Sequence, residues 1–259
     1  MKGTVHLLSR RQVLVDLGRG AIAVAVLGSA AACTGEDSPP PAGAGSPTSG
    51  TSPVPSMTEP VPEDPVTWKR AGFADVSAYV LLRGSQAVVV DTGESEDAVG
   101  EIEKALTTAG GSWDAVRHVI LTHQHPDHVG GLDAVLARAT RAVPAVGEAD
   151  LSGVLSSRPL TPLHDGDELF GLRIIGTPGH TPGHISVHDP DTGLVVVGDA
   201  MVNLGGLSGS MPQYTADPEQ AAASVRVVAK LRPRTLLFGH GDPMTRGTAK
   251  QLDQLVASL

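Results

Sequence analysis

The sequence predicts a mixed α/β fold, two packed sheets with helices on their outer faces, and three observations carry that prediction. Short, continuous apolar runs recur along the chain: Ala-Val-Val-Val before Asp91, His-Val-Ile-Leu before Thr122, Leu-Val-Val-Val before Gly198, Thr-Leu-Leu-Phe before Gly239. Runs with no polar alternation read as strands buried on both faces. Between them lie segments of helical period, such as Val99, Ile102 and Leu106 on one face. Finally, strands and helices recur in two similar halves without regular βαβ alternation, which favours two face-to-face sheets over a single wound one. No short-period repeat is visible.

Each element follows in order. Thr67–Arg70, Ser77–Arg83 and Gln86–Asp91 are predicted strands, the last two joined at Gly84-Ser85. Glu94–Ala109 is a predicted helix, stopped by Gly110-Gly111 because glycine takes the left-handed turn that ends helices. His118–Leu121 is a strand, Val129–Ala139 a helix, Val143–Val146 a short strand, and a further helix lies near Glu148–Leu155. Glu168–Ile175, Ile185–His188 and Leu194–Val197 form a β run. Asp217–Leu231 is the last long helix, with Pro218 in its first turn and Arg226, Lys230 and Arg232 toward its end, as the helix dipole favours.

Ahead of this fold the composition changes. Lys2, Arg10 and Arg11 precede an apolar segment, Ala21–Ala32, that ends in small residues before Cys33. That is the layout of an export signal at 1–32, too short in its apolar part to remain as a membrane-spanning helix. Ser9-Arg10-Arg11-Gln-Val-Leu14 resembles a twin-arginine signal, with a general secretory signal as the alternative. Cys33, the only cysteine, stands at the cleavage point, so no disulfide within the chain is possible. Its position resembles the lipid-bearing cysteine of bacterial lipoproteins, which would hold the protein at the outer face of the cell membrane; soluble secretion is the other reading. Residues 33–64 are rich in Pro, Gly, Ser and Thr and are expected to be a disordered spacer. Residues 65–259 are then one catalytic domain.

The whole chain carries −9, and removing residues 1–32, which carry a net +3, leaves −12. An acidic domain lacks the basic footprint of a nucleic-acid binder, so the expected partner is a small molecule. The oligomeric state is open.

Thr-His-Gln-His-Pro-Asp-His at 122–128 concentrates His123, His125, Asp127 and His128. Imidazoles two positions apart can converge on one metal ion, and Asp127 with His128 offers an oxygen and a nitrogen toward a second. Without a cation, groups so crowded would repel and desolvate one another. His180, Asp199 and His240 follow at the ends of later segments.

With these residues in order, the chain resembles the metallo-β-lactamase superfamily, and within it the hydrolase branch of glyoxalase II and the lactone hydrolases. The resemblance implies the αββα sandwich and two divalent metal ions. It implies that His123, His125 and His180 bind the first metal, Asp127, His128 and His240 the second, and that Asp199 bridges. Asp127 and Asp199 are the catalytic carboxylates in this scheme, and a hydroxide between the metals attacks an ester-like bond. The donor set suits zinc best, with iron and manganese open. Asp91 resembles the carboxylate that orients a ligand imidazole, with a plain turn former as the alternative. His184 is open between supporting the ligands, touching substrate and packing. Tyr214 lies where some relatives donate to a developing oxyanion, or else anchors its loop.

Departures narrow the reading. The superfamily's true β-lactamases lack a bridging Asp, whereas Asp199 is present here. The flavodiiron branch has Glu where this chain has His125. Glyoxalase II binds glutathione through a further C-terminal region, and a chain ending at Leu259 is expected to be too short to supply it. Lactone, thioester or related hydrolysis is expected. The alternatives are a mononuclear iron dioxygenase acting on persulfides and a non-catalytic metal-binding envelope lipoprotein.

Overall fold

The computed structural model describes residues 61–73 and 75–259. The export segment, Cys33 and all but the end of the expected spacer lie outside these residues. In the first half, β1 (Thr67–Gly72), β2 (Ser77–Arg83) and β3 (Gln86–Val90) form an antiparallel meander. The helix α1 (Ala98–Ala109) leads to β4 (Val116–Leu121), which runs parallel to β3. Two short helices, α2 (Pro126–Val129) and α3 (Leu132–Arg138), precede β5 (Val143–Gly147), and β6 (Thr161–Leu163) completes a six-stranded sheet in sequential order.

In the second half, β7 (Glu168–Leu169), β8 (Leu172–Gly176), β9 (Ile185–Asp189) and β10 (Leu194–Gly198) run antiparallel. A hairpin of β11 (Met201–Asn203) and β12 (Leu207–Gly209) and the helix α4 (Pro218–Lys230) follow. Then β13 (Thr235–Phe238) adds to β10 in parallel, giving the order β13-β10-β9-β8-β7, and α5 (Thr248–Ser258) comes last.

Three apolar layers hold these elements in an αββα stack. On β3, Val88 and Val90 face the middle layer, where Ile120, Leu172, Ile174, Val187 and Val196 join them. Val89 faces the other way, onto Ile102, Leu106, Leu132 and Val135 of α1 and α3. On β10, Val195 and Val197 likewise meet Val225, Val228 and Leu252 of α4 and α5. Alternate residues of a strand point to opposite faces, so a strand covered on both sides must be apolar throughout. That is why the runs carried no alternation.

Four local expectations are corrected. The helix expected at Val129–Ala139 is broken after α2, where the Gly131 amide donates to the Gly93 carbonyl at 3.2 Å instead of continuing the helix, and a Cβ on Gly130 would sit 1.9 Å from the Glu94 carbonyl oxygen. The backbone of the preceding loop passes there. The helix expected at Glu94–Ala109 starts later, at Ala98. The one expected near Glu148–Leu155 is a 3₁₀ turn, Glu148–Gly153, in which the Asp150 side chain bonds to neighbouring segments instead. The strand expected at Glu168–Ile175 folds back at Phe170-Gly171, both at positive φ, the conformation of a tight two-residue hairpin.

Candidate metal centre

Five strands deliver their C-terminal ends to one rim. Asp91 follows β3, Thr122 and His123 follow β4, His180 lies in the loop after β8, Asp199 follows β10 and His240 follows β13. Strands hold side chains more tightly than free loops do, which suits a site that needs several groups at fixed spacing. Asp127 and His128 join from α2, which begins just after His125.

Ligand-capable atoms meet there in three overlapping groups, within 4.8 Å inside each: His123, His125 and His180; His123, His128 and Asp199; Asp127, His128 and His240. Asp199 sits between the outer two, with Oδ1 3.4 Å from His128 Nε2 and Oδ2 3.5 Å from His180 Nε2 and 3.2 Å from His240 Nε2. Asp127 Oδ2 is 3.2 Å from His240 Nε2.

The outer hydrogen bonds decide which nitrogen each ring presents. The Thr122 hydroxyl donates to Asp91 Oδ2 at 2.9 Å, so it must accept at 3.0 Å from His123 Nδ1–H. His128 Nδ1–H donates to Asp91 Oδ2 at 2.9 Å. His240 Nδ1–H donates to the Asp75 carbonyl at 2.6 Å. All three rings therefore point Nε2 to the centre. Among the described residues, His123 Nε2, His128 Nε2 and Asp199 Oδ1 are buried without a hydrogen-bond partner. Buried acceptors with no donor are costly alone and are satisfied together by a cation. The donor set fits divalent metal.

The charges agree. Burial, with His128 and the other rings crowding in, lowers the His123 pKa well below its ordinary value. Burial also lowers His180, to about 4. His128 and His240 go the other way: burial opposes protonation, but Asp91 and Asp199 raise His128, and Asp127 and Asp199 push His240 up to about 10. Burial would raise the Asp199 pKa, yet His128 and His240 hold it well below the carboxylate range. The carboxylates thus hold positive charge in place, as protons when no metal is bound.

The profile of the metallo-β-lactamase superfamily matches residues 71–153 and 159–240, a stretch that includes every ligand candidate. The chain belongs to the metallo-β-lactamase superfamily. It is similar to the probable metallo-hydrolase YflN of Bacillus subtilis, 31% identical over 202 residues, 61% of this chain and 76% of that protein. It is also similar to a hydroxyacylglutathione hydrolase of Dechloromonas aromatica, 30% identical over 170 residues, 64% of this chain and 57% of that one. The chain thus spans little more than half of that hydrolase's length. Among solved structures, TTHA1623 in a di-iron-bound form is 26% identical with a TM-score of 0.60, over 75% of this chain and all of that one. The chain is a metallo-β-lactamase-superfamily hydrolase with His and Asp groups arranged for metal.

Around the centre of this superfamily member stand residues of several kinds. Asp91, at φ 64°, takes the Thr122 amide on Oδ1 at 2.7 Å and His128 Nδ1–H on Oδ2 at 2.9 Å, so both its oxygens are engaged by the segments that carry the ligand candidates. His184 lies behind Asp199, off the cavity: its Nε2 accepts from the Asp199 amide at 3.0 Å, leaving Nδ1–H to donate to Thr177 Oγ1 at 2.8 Å. Burial lowers its pKa to about 3, which keeps Nε2 free to accept. Tyr214 is 58% exposed on the turn Pro212–Tyr214 and lines a cavity of about 320 Å³ with Met211, Pro126 and the ligand candidates His125, Asp127, His180, Asp199 and His240.

Three residues escaped the sequence reading. Asp75 holds His240, and Ser210 Oγ lies 2.8 Å from His180 Nδ1. The fully buried Asp150 accepts from the Gln124 amide at 3.1 Å, from the Gly183 amide at 2.8 Å and from the Thr181 hydroxyl. It thereby ties the segment of His123 and His125 to the loop of His180. The only signal in sequence is the polar Glu-Ala-Asp following an apolar strand, which reads equally well as a surface turn.

Proposed function

We propose that this protein is a dinuclear metal-dependent hydrolase that cleaves an ester-like bond, a lactone, thioester or related small molecule, with zinc as the metal its donors suit best. The observation that supports it most is the set of buried atoms facing one point without donors, Nε2 of His123 and His128 and Oδ1 of Asp199, flanked by two complete ligand trios. When bound, divalent metal supplies a water acidic enough to ionise near neutral pH and Lewis acidity toward a carbonyl. The chain's own residues do the rest. His123, His125 and His180 would hold one ion, Asp127, His128 and His240 the other, and Asp199 lies between the trios, with Oδ2 3.5 Å from His180 Nε2 and 3.2 Å from His240 Nε2. Asp91, Asp75 and Asp150 fix ring orientations and loop positions. Tyr214 stands over the cavity, where its hydroxyl can donate to a developing oxyanion. Met211 and Pro126 give the cavity an apolar wall, and a small ester would sit between that wall and the ligands.

The test is elemental analysis of the purified full chain, then assay of the metal-loaded protein on lactones, thioesters, phosphodiesters and β-lactams, with Asp199→Ala as control. Two metal ions and hydrolysis of a lactone or thioester, both lost in the variant, are expected. One tightly held iron with oxygen consumption would replace the proposal with persulfide dioxygenation. Metal without hydrolysis of any ester would leave a binding protein. We also propose export, with a lipid on Cys33 holding the domain at the outer face of the cell membrane; the basic start, the apolar Ala21–Ala32 and the cysteine that follows support this.

A further inference from the structure

We infer that Ser210 and Thr215 form a hydroxyl chain that fixes the tautomer and ring orientation of His180, and so couples the metal centre to the loop lining the substrate cavity. The inference rests on the proposed function only in taking His180 as a ligand. The far end of the hydroxyl chain sets its direction. The Thr215 hydroxyl lies 2.7 Å from the Met211 carbonyl oxygen, which can only accept, so the threonine proton is committed there. Ser210 Oγ is 2.7 Å from Thr215 Oγ1, so the serine is the donor in that contact. With its single proton used, Ser210 must accept at 2.8 Å from His180, whose Nδ1 therefore carries hydrogen. The lone pair is left on Nε2, 2.9 Å from His125 Nδ1 and 3.5 Å from Asp199 Oδ2.

Three bonds in series thus permit one direction. The same loop is stitched to the ligand segment through the main chain, Ala216 N to His180 O at 3.1 Å and Asp217 N to Gly179 O at 2.9 Å. It also carries Met211 and Tyr214 into the cavity. A substrate that presses on Met211 therefore moves the acceptor on which the chain ends. By linkage, any change in ion retention at His180 on filling the cavity is matched by an equal change in affinity for what fills it. Ser210 and Thr215 are positioning residues, since neither touches the reacting atoms.

The experiment uses the full chain, metal-free and zinc-loaded, with Ser210→Ala, Ser210→Thr and Thr215→Val. Two quantities are read: the imidazole Nδ1–H signal of His180 in ¹⁵N-resolved spectra, assigned with His180→Asn, and the rate of zinc loss to a chelator. Wild-type protein should show a protected Nδ1–H. Ser210→Ala should lose it and release zinc about tenfold faster or more, the usual scale for removing a ligand's outer partner. Ser210→Thr should restore both. Thr215→Val should resemble the alanine variant, because the freed serine proton can turn toward Nδ1, and it decides the matter if Ser210→Ala does not fold. An alanine variant that keeps the Nδ1–H signal and releases zinc within twofold of wild type would overturn the inference. So would equal damage from alanine and threonine, which indicates space-filling. If wild-type protein takes up no zinc, the proposed function fails, while the metal-free spectra still decide the tautomer.

Discussion

His240 has two competing claimants for one atom. Its Nε2 lies 3.2 Å from both Asp127 and Asp199, which together push its pKa from the ordinary 6.5 up to about 10. In metal-free protein that proton's contribution to stability is complete below about 6.5 and is lost as pH rises through about 10. A metal ion must displace the proton, so affinity should climb with pH across the same span. Calorimetric zinc titrations near pH 7, in buffers of different ionisation enthalpy, should record release of about one proton or more; release of none would show that His240 does not give up a proton to metal. Asp150 poses a similar question of exchange. Its Oδ2 accepts from both Gln124 and Thr181, so Asp150→Asn, with its amide nitrogen there, sets donor against donor, and turning the amide over sets it against Gly183. The variant should lose about 1–3 kcal/mol in denaturant melts and hold zinc more weakly, despite near-identical shape.

At the next scale, β10 and β13 end side by side, Gly239 N donating to the Gly198 carbonyl at 3.0 Å, and each is followed by a ligand candidate. A Cβ on Gly239 would sit 2.1 Å from Asp199 Oδ1 and 2.6 Å from His128 Cε1. Gly239→Ala should therefore pack its methyl into the metal centre, and metal content should fall far more than helical and sheet signals in circular dichroism. Full metal occupancy in that variant would mean that the rim has room the structure denies. The strands themselves were legible in sequence because both faces of each are covered, as at Val88, Val89 and Val90. The crowded 122–128 stretch was legible because only a cation reconciles such neighbours. Less legible was whatever depends on distant partners: Ser210 and His180 are 30 residues apart, and Asp75 and His240 are 165 apart. No local pattern marks such pairs. The β11–β12 hairpin was too short to signal its period, whereas α5 carried a readable stripe, Leu252, Leu255 and Val256, and was missed.

Across the whole molecule, the two sheets are clamped at the end opposite the metal centre. Arg83 closes β2 and meets Asp189 at the end of β9 at 2.8 Å, both buried, with Thr192 also donating to Asp189. Removing one partner of such a pair strands the other, so Arg83→Ala should cost about 3 kcal/mol or more in denaturant unfolding while leaving metal content unchanged. Loss of metal at equal stability would mean that the clamp communicates with the rim. Among the described residues no helix is long and apolar enough to cross a membrane, and the proposed attachment is through Cys33. Cys33→Ser should shift the protein from the membrane pellet to the soluble fraction or leave an uncut precursor, read together by fractionation and mass. Wild-type protein secreted with an unmodified thiol would end the lipoprotein proposal and leave the chemistry standing. The ligands' spacing along the chain bears on biosynthesis. Both trios draw from the two halves, and His240 comes 117 residues after His123. A growing polypeptide therefore cannot assemble either trio from its first half. One trio is complete only once His180 has been made and the other only once His240 has, which places completion of the metal centre late in maturation rather than at the seed from which folding begins.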